Sequence, residues 1–251
     1  KVNIMKLQSI FDQTDFVHAS GTKEELQVAN YLKEQCETLG VPAELESFRV
    51  AMGEIEEAHL YADGMGIPCK ALTCCGSGSV EGELYYMPGT DPVSVAGAKD
   101  KIVLMDTQGI GFFAYQDLMK AGAKAILFQY GNSYYPHTDI DQRDLREAVV
   151  GEEKKVLCAM IHSAQAVELV KNKVKQIRLE IRQKEYDGES HNVIAELPGK
   201  REEWIVLSAG QSSTTFVASF LANLASCSTI SIVGWNCAIS FSICIRENTS
   251  I

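Results

Sequence analysis

Apolar residues recur every three or four positions between residues 21 and 40, which is the spacing of an amphipathic helix packed on a core. Thr22 and Glu25 precede this pattern as a T-x-x-E capping box, and Gly40 follows it as a helix stop. The sequence therefore predicts a helix over 21–40. Its apolar stripe consists of Leu26, Ala29, Leu32, Cys36 and Leu39.

Patterns typical of strands flank a long central region. Residues 43–50 alternate between apolar and polar, with one slip near Ser47. Much later, residues 177–181 alternate with charges and predict a half-exposed strand. Two further apolar runs also predict strands, and the second of them is predicted to be fully buried. These two runs are 191–197 and 204–209, and Pro198-Gly199 between them predicts a hairpin turn.

The central region, residues 54–174, consists of short β-rich runs separated by Gly and Pro. A helix is predicted at 113–121, where Gly122 ends it, and Ser163 is expected to cap another helix that continues to residue 170. The predicted strands are 82–87, 101–105, 123–128 and 156–161. Their alternation with helices predicts a small α/β insert.

The composition changes abruptly at Gly210. Residues 210–251 contain only two charged residues, Arg246 and Glu247, and no His or Asp. A membrane anchor needs about 20 apolar residues, yet Ser, Thr and Asn interrupt this stretch. A buried segment of a shortened domain is a second interpretation. We favour a third, an out-of-frame or otherwise aberrant tail, because the break is abrupt.

The overall composition is that of an ordinary globular protein, with 46% hydrophobic and 22% charged residues. A net charge of −10 without clustered Lys or Arg excludes nucleic acid and argues against a membrane as partner.

The eight cysteines form no C-x-x-C pair, and most are expected to be reduced core residues. The adjacent Cys74 and Cys75 could bridge only with strain. Neither an initiator Met nor a signal segment is visible, so the compartment stays open, with the cytoplasm favoured over secretion.

Three segments together resemble the co-catalytic zinc aminopeptidases, the family that includes glutamate carboxypeptidase and the transferrin receptor. They are Ser20-Gly21-Thr22 with its helix, the run S-H-N-V-I-A-E-L-P-G at 190–199, and W-I-V-L-S-A at 204–209. Runs 101–105 and 121–128 are similar to a protease-associated domain. The resemblance implies a partial aminopeptidase-type α/β sheet domain, 1–53 and 175–209, with an inserted β-rich protease-associated domain, 54–174, and an atypical tail, 210–251.

The resemblance also implies two zinc ions in the intact family, bound by an H-x-D pair after the strand equivalent to 204–209 and by later carboxylates and a His. Here Gly210, Gln211 and Ser212 follow that strand, and none is a zinc ligand. We therefore expect no catalytic, cofactor or metal residue in this chain and no peptide hydrolysis by it. The alternative is a non-catalytic protease-associated module that binds a protein or peptide.

Other residues that could carry chemistry have simpler interpretations. His137-Thr138-Asp139 is an H-x-D sequence close to Asp141 and Asp144, but its setting predicts a solvated loop. His191 is interpreted as a strand-end residue because no partner follows from its spacing. The Gly-rich runs 76–78 and 109–111 lack the third Gly of a dinucleotide fingerprint, and no G-x-S-x-G elbow is present.

Overall fold

The computed structural model describes residues 4–131, 140–197, 204–210 and 240–246 of the 251-residue chain. The chain divides into two compact units. Unit 1 comprises Lys1–Val50 and Asp187–Ile251, and unit 2 comprises Ala51–Tyr186.

Helices and strands alternate along the described residues. The helices are α1 (Ile4–Thr14), α2 (Lys23–Thr38), α3 (Pro92–Ala96), α4 (Phe112–Ala121), α5 (Glu147–Val150) and α6 (Ser163–Lys171). The strands are β1 (Ala43–Ala62), β2 (Met65–Ile67), β3 (Lys70–Ala71), β4 (Gly78–Met87), β5 (Ile102–Met105), β6 (Ala125–Tyr130), β7 (Leu157–His162), β8 (Gln176–Leu197), β9 (Trp204–Gly210) and β10 (Ser240–Arg246).

The strands form a mixed sheet in the order β2-β1-β8-β4-β5-β6-β7-β3, in which β10 also pairs with β8 and β9. Strands β4 to β7 are parallel neighbours, and β8 pairs antiparallel with β4. Every residue of β5 and β7 is buried, as expected for parallel strands with both faces covered. Tyr115 and Leu118 of α4 join the same core. The predicted α/β fold class is confirmed.

Unit 1 packs α2 against the end of β8. Val28, Ala29, Leu32 and Cys36 form a cluster with Val193 and Ala195, which project from one face of the strand. Leu26, predicted in the stripe, is instead 37% exposed, and Glu25 is buried. The inner face of α2 therefore begins with a carboxylate.

Several predicted elements need correction. The strand predicted at 43–50 continues to Ala62, because Glu56 and Glu57 pair with Arg182 across the sheet rather than entering a loop. The two strands predicted at 177–181 and 191–197 are one strand, β8. The hairpin between residues 191–197 and 204–209 is wrong, because β10 lies between β8 and β9. Pro198 and Gly199 themselves lie outside the described residues.

The helix caps also differ from expectation in detail. Gly122 ends α4 as predicted, with a left-handed φ of 88°. Ser163, by contrast, is the first residue of α6, and the cap is His162, whose ring accepts a hydrogen bond from the Ala164 N–H. Ser163 Oγ instead donates to the carbonyls of Tyr130 and Gly131. A ring nitrogen here substitutes for the usual hydroxyl.

The tail predicted from residue 210 is described only at Gly210 and in β10. Strand β10 pairs parallel with β8, from Phe241–Val193 to Ile245–Leu197, and antiparallel with β9. This part of the tail is thus a sheet strand. Among the described residues, no helix is long and apolar enough to cross a membrane.

Candidate functional site

The most unusual group in unit 1 is the buried carboxylate of Glu25. Its side chain is 0% exposed, whereas an ionisable side chain is almost never fully buried unless it is paired. Thr22 Oγ1 accepts a hydrogen bond from the Glu25 N–H, which is the expected half of a capping box. The other half is missing, because the Thr22 N–H donates to the Ala19 carbonyl instead. The carboxylate is thereby free to bind elsewhere.

Both oxygens of Glu25 face His191 at the end of β8. The His191 backbone N–H donates to Oε1 at 3.1 Å, and ring Nδ1 lies 3.3 Å from Oε2. An ionised carboxylate only accepts hydrogen bonds, so the Nδ1 contact requires a proton on that nitrogen. Glu25 therefore holds the orientation of the ring and favours the tautomer with a proton on Nδ1.

The second ring nitrogen of His191 faces another carboxylate. Nε2 lies 3.4 Å from Oε1 of Glu189, whose side chain is 67% exposed, while the His191 side chain is 12% exposed. Residues two apart on a strand project from the same face, so Glu189 and His191 are neighbours for a simple geometric reason. The ring thus lies between a buried and a solvent-facing carboxylate.

A second contact joins the same two chain segments. Ser20 Oγ donates to Ser190 Oγ at 2.9 Å, and Ser190 is fully buried. Ser190 and His191 are consecutive strand residues and point to opposite faces, so the hydroxyl and the imidazole do not form a nucleophile–base pair. The structure nevertheless brings together the segments around residues 20–25 and 189–191. Ser20 and Ser190, which are in contact, are separated by 170 positions in the sequence.

Strand β9 ends at Gly210, which pairs with Ser240 of β10. Gln211 and Ser212, which follow it where metal ligands were sought, lie outside the described residues. Among described residues, no group of three or more His, Cys, Asp and Glu side chains could hold a metal ion. Glu189 and His191 supply two donors at most. A pair of zinc ions needs more donors than this, so the described residues do not fit a two-zinc centre.

The H-x-D sequence at His137 and Asp139 lies outside the described residues. Of its acidic neighbours, Asp141 accepts a hydrogen bond from the Tyr130 hydroxyl and thereby raises the pKa of Tyr130. Asp144 lies 3.9 Å from Arg146. Both carboxylates thus have protein partners, which agrees with their interpretation as loop residues.

The adjacent Cys74 and Cys75 of unit 2 belong to a tightly bonded turn. Cys74 has a left-handed φ of 62°, and its N–H donates to Oε1 of buried Gln183 at 2.9 Å. Nε2 of Gln183 donates to the Gly76 carbonyl at 2.7 Å. Burial raises the pKa of Cys75 to about 11, and a protonated thiol is a poor nucleophile and metal ligand. The pair is therefore structural.

The described cysteines are otherwise as predicted. Cys36, Cys69, Cys74, Cys75 and Cys158 carry no disulfide, and all but Cys69 are buried. The Gly-rich run at 76–78 is held by protein groups, since the Gly76 N–H donates to Glu185 at 2.7 Å and Ser77 Oγ bonds to Gln183. No phosphate-binding role is needed to explain these glycines.

Comparisons with known proteins identify the fold. No family model and no curated protein matches the sequence. The structure, however, is similar to an aminopeptidase from an Aneurinibacillus species, with a TM-score of 0.61 and 18% identity over 97% of this chain. It also matches a zinc aminopeptidase from Bacillus subtilis, with a TM-score of 0.61 and 14% identity over 98% of this chain.

A peptidase M28 precursor from Shewanella amazonensis has a TM-score of 0.52 and 12% identity over 95% of this chain. This chain spans about three fifths of these solved chains, between 61% and 62% of their length. The chain therefore has the zinc-aminopeptidase fold over the part that it covers. The resemblance inferred from residues 20–22, 190–199 and 204–209 is confirmed at the level of fold, and the protease-associated assignment of the insert stays a prediction.

Sequence reasoning missed the partner of His191. The signal was present in the capping box, because Glu25 stands four residues before Ala29 on the inner face of α2. A helical pattern that begins with a glutamate on its buried face predicts a buried partner for that carboxylate. The identity of the partner depends on tertiary packing and cannot be read from spacing.

Proposed function

We propose that this chain is an aminopeptidase-like protein that provides the scaffold of the fold and does not itself hydrolyse peptides. The observation that carries the proposal is the structural similarity over 97% of the chain to an aminopeptidase, combined with a tail, 210–251, that has neither His nor Asp. Hydrolysis by a zinc enzyme requires three protein ligands per catalytic ion and an open position for water.

The residues at the position where the family resemblance places the first zinc ligands support this proposal. In the sequence, Gly210, Gln211 and Ser212 supply no imidazole and no carboxylate. Glu25 is the one fully buried carboxylate among the described side chains, and it is engaged by His191, so it is not available as a general base toward a bound water. The chemistry that zinc would supply, activation of a water and binding of a free amino terminus, has no donor set in the described residues.

The test is hydrolysis of leucine p-nitroanilide by the purified full chain after addition of zinc. We expect a rate equal to that of buffer containing the same zinc concentration. A rate above that background which is abolished by a chelator and restored by zinc would overturn the proposal. A known zinc aminopeptidase, treated identically, provides the positive control.

A second function is favoured by the independence of unit 2, which has its own core and polar network. We propose as the alternative that unit 2 binds a protein or peptide without metal. Phe112 and Phe113 offer exposed apolar surface, with Phe113 81% exposed, and their rings contact edge to face. Exposed aromatic side chains are frequent anchors in protein interfaces.

This alternative is tested by probing a peptide array with the full chain in the presence of a chelator. Binding that survives chelation and is lost in Phe113→Asp supports it. Val167→Asp, on the exposed surface of α6, is the matched control because it adds the same charge elsewhere. An array without saturable binding, or equal loss in both variants, contradicts it.

A further inference from the structure

We propose that His191 and Glu189 of unit 1 form a binding site for a single divalent transition-metal ion, for which Zn²⁺ is the probe. The proposal is independent of the proposed function, because Glu189 and His191 precede β9, whereas the family resemblance places the first zinc ligands after that strand. It rests on the placement of two donors on one strand face and on the buried carboxylate behind them.

The tautomer of His191 decides which of its ring nitrogens can bind a metal ion. Oε2 of Glu25 lies 3.3 Å from Nδ1, and a buried carboxylate there holds the ring proton on that nitrogen. A neutral imidazole with its proton on Nδ1 carries its lone pair on Nε2, which is the form that binds a metal. A carboxylate behind the non-ligating nitrogen is the usual support of a metal-binding histidine.

A second requirement is the distance between the two donors. Nε2 of His191 and Oε1 of Glu189 are 3.4 Å apart. Two ligands that are each about 2.1 Å from a tetrahedral zinc lie about 3.4 Å from one another. The donors therefore already have the separation that one ion requires, and no backbone movement is needed to receive it.

A third requirement is access and rigidity. Glu189 is 67% exposed, so an ion can reach it from solvent, whereas His191 is held by the strand and by the Glu25–backbone hydrogen bond at 3.1 Å. The imidazole of His191 is thus held in place, whereas the exposed carboxylate of Glu189 can adjust to the ion. Because no third His, Cys, Asp or Glu among the described residues completes the group, the remaining positions belong to water and the site binds weakly.

The experiment is a Zn²⁺ titration of the ¹⁵N-labelled full chain, followed through the imidazole nitrogens of His191. We expect the apo ring to carry its proton on Nδ1 and the Nε2 resonance to shift saturably on Zn²⁺ addition. Glu189→Gln, an exposed and isosteric change, should weaken the binding at least tenfold. Glu196→Gln, another exposed glutamate of β8, is the matched control and should leave it unchanged.

Glu25→Gln is a second variant, and it tests whether the carboxylate of Glu25 holds the proton on Nδ1 of His191. The amide oxygen can still accept the His191 N–H, but the amide nitrogen cannot accept a hydrogen bond from Nδ1–H. We expect the ring proton to move to Nε2 and the affinity for Zn²⁺ to fall 10- to 100-fold.

Four results would overturn the proposal. The first three are an apo ring protonated on Nε2 alone, a His191 signal that Zn²⁺ does not move, and equal affinities of the chain and Glu189→Gln. A doubly protonated ring that Zn²⁺ does not displace at neutral pH would overturn it equally, since the ring would then be an imidazolium bridge between the two carboxylates. None of these results depends on peptide hydrolysis.

Discussion

The two units bury their polar groups in different ways. In unit 2 a neutral amide, Gln183, is buried, and it binds backbone and thiol groups of one turn. Unit 1 instead places a carboxylate, Glu25, beside an imidazole on the inner face of its helix. The hydrogen bonds of Gln183 satisfy polar groups of a turn, whereas the carboxylate–imidazole pair of unit 1 leaves the second ring nitrogen of His191, Nε2, beside Glu189. We therefore place the proposed metal-binding chemistry in unit 1 and the proposed protein- or peptide-binding alternative in unit 2.

The largest expected effect tests the apolar core of unit 2. Phe128 is 0% exposed, and Phe128→Ala should lower the free energy of unfolding by about 3–5 kcal/mol through lost burial and the cavity left behind. Urea denaturation followed by circular dichroism measures it. Phe113→Ala, at a side chain 81% exposed, should change stability by less than about 0.5 kcal/mol. Similar losses in both variants would contradict the assigned core.

The next prediction addresses the buried carboxylate of unit 1. Glu25→Ala removes the acceptor of the His191 N–H and should cost about 1–3 kcal/mol, the usual consequence of an unsatisfied buried donor. Glu24→Ala, whose side chain is 39% exposed, is the control. Thermal unfolding of both variants gives the difference. If Glu25→Ala were as stable as Glu24→Ala, the carboxylate would not organise unit 1.

A close backbone approach in unit 2 gives a third prediction. A Cβ on Gly53 would lie 2.9 Å from the Cys74 nitrogen and 2.9 Å from Oε1 of Gln183. Gly53→Ala should therefore cost about 1–3 kcal/mol by overpacking. Gly66→Ala, where no atom lies within 4 Å of the added carbon, should be nearly neutral. Equal stabilities of the two variants would show that the Gln183 turn adjusts freely.

The last prediction concerns how stability depends on pH through two thiols of unit 2, whose effect is absent at neutral pH. Burial raises the pKa of Cys75 from an ordinary value of 9.0 to about 11 and that of Cys69 to about 11. Below pH 9 both folded and unfolded chains keep these protons, so stability is unaffected. Between about pH 9 and 11 the unfolded chain loses them first, and stability should fall as the pH rises.

Equilibrium unfolding between pH 7 and 11 measures this dependence. Labelling with a thiol reagent at pH 8 should be slow in the folded chain and fast in urea. Rapid labelling of Cys75 in the folded chain would show that the turn opens readily and would weaken the contrast between the units.

The comparison also shows which features a sequence reveals. Helix α2 and strands β4 to β7 were predictable because their periodicity and their Gly and Pro boundaries are local. The sequence predicts two strands where the structure has the single strand β8, because charged residues such as Arg182 and Lys184 are typical of a loop. In the structure both side chains pair with Glu56. Cross-strand charge pairs become visible only once the register is known.

The same limit applies to the candidate site. The motif around His191 was noticed, and its family resemblance is confirmed as fold, but the pairing with Glu25 joins residues 166 positions apart. Local reasoning assigned Glu25 to a capping box because the T-x-x-E spacing is satisfied. Tertiary packing redirected the carboxylate to the strand, and only half of the cap formed.

We infer that this chain, which has an aminopeptidase fold over the part that it covers, does not form a two-zinc catalytic centre. The most direct measurement is zinc content per chain after loading and gel filtration, together with leucine p-nitroanilide hydrolysis by the same sample. We expect no hydrolysis and at most one weakly held zinc, reduced by Glu189→Gln. Two tightly held zinc ions with chelator-sensitive hydrolysis would contradict the account.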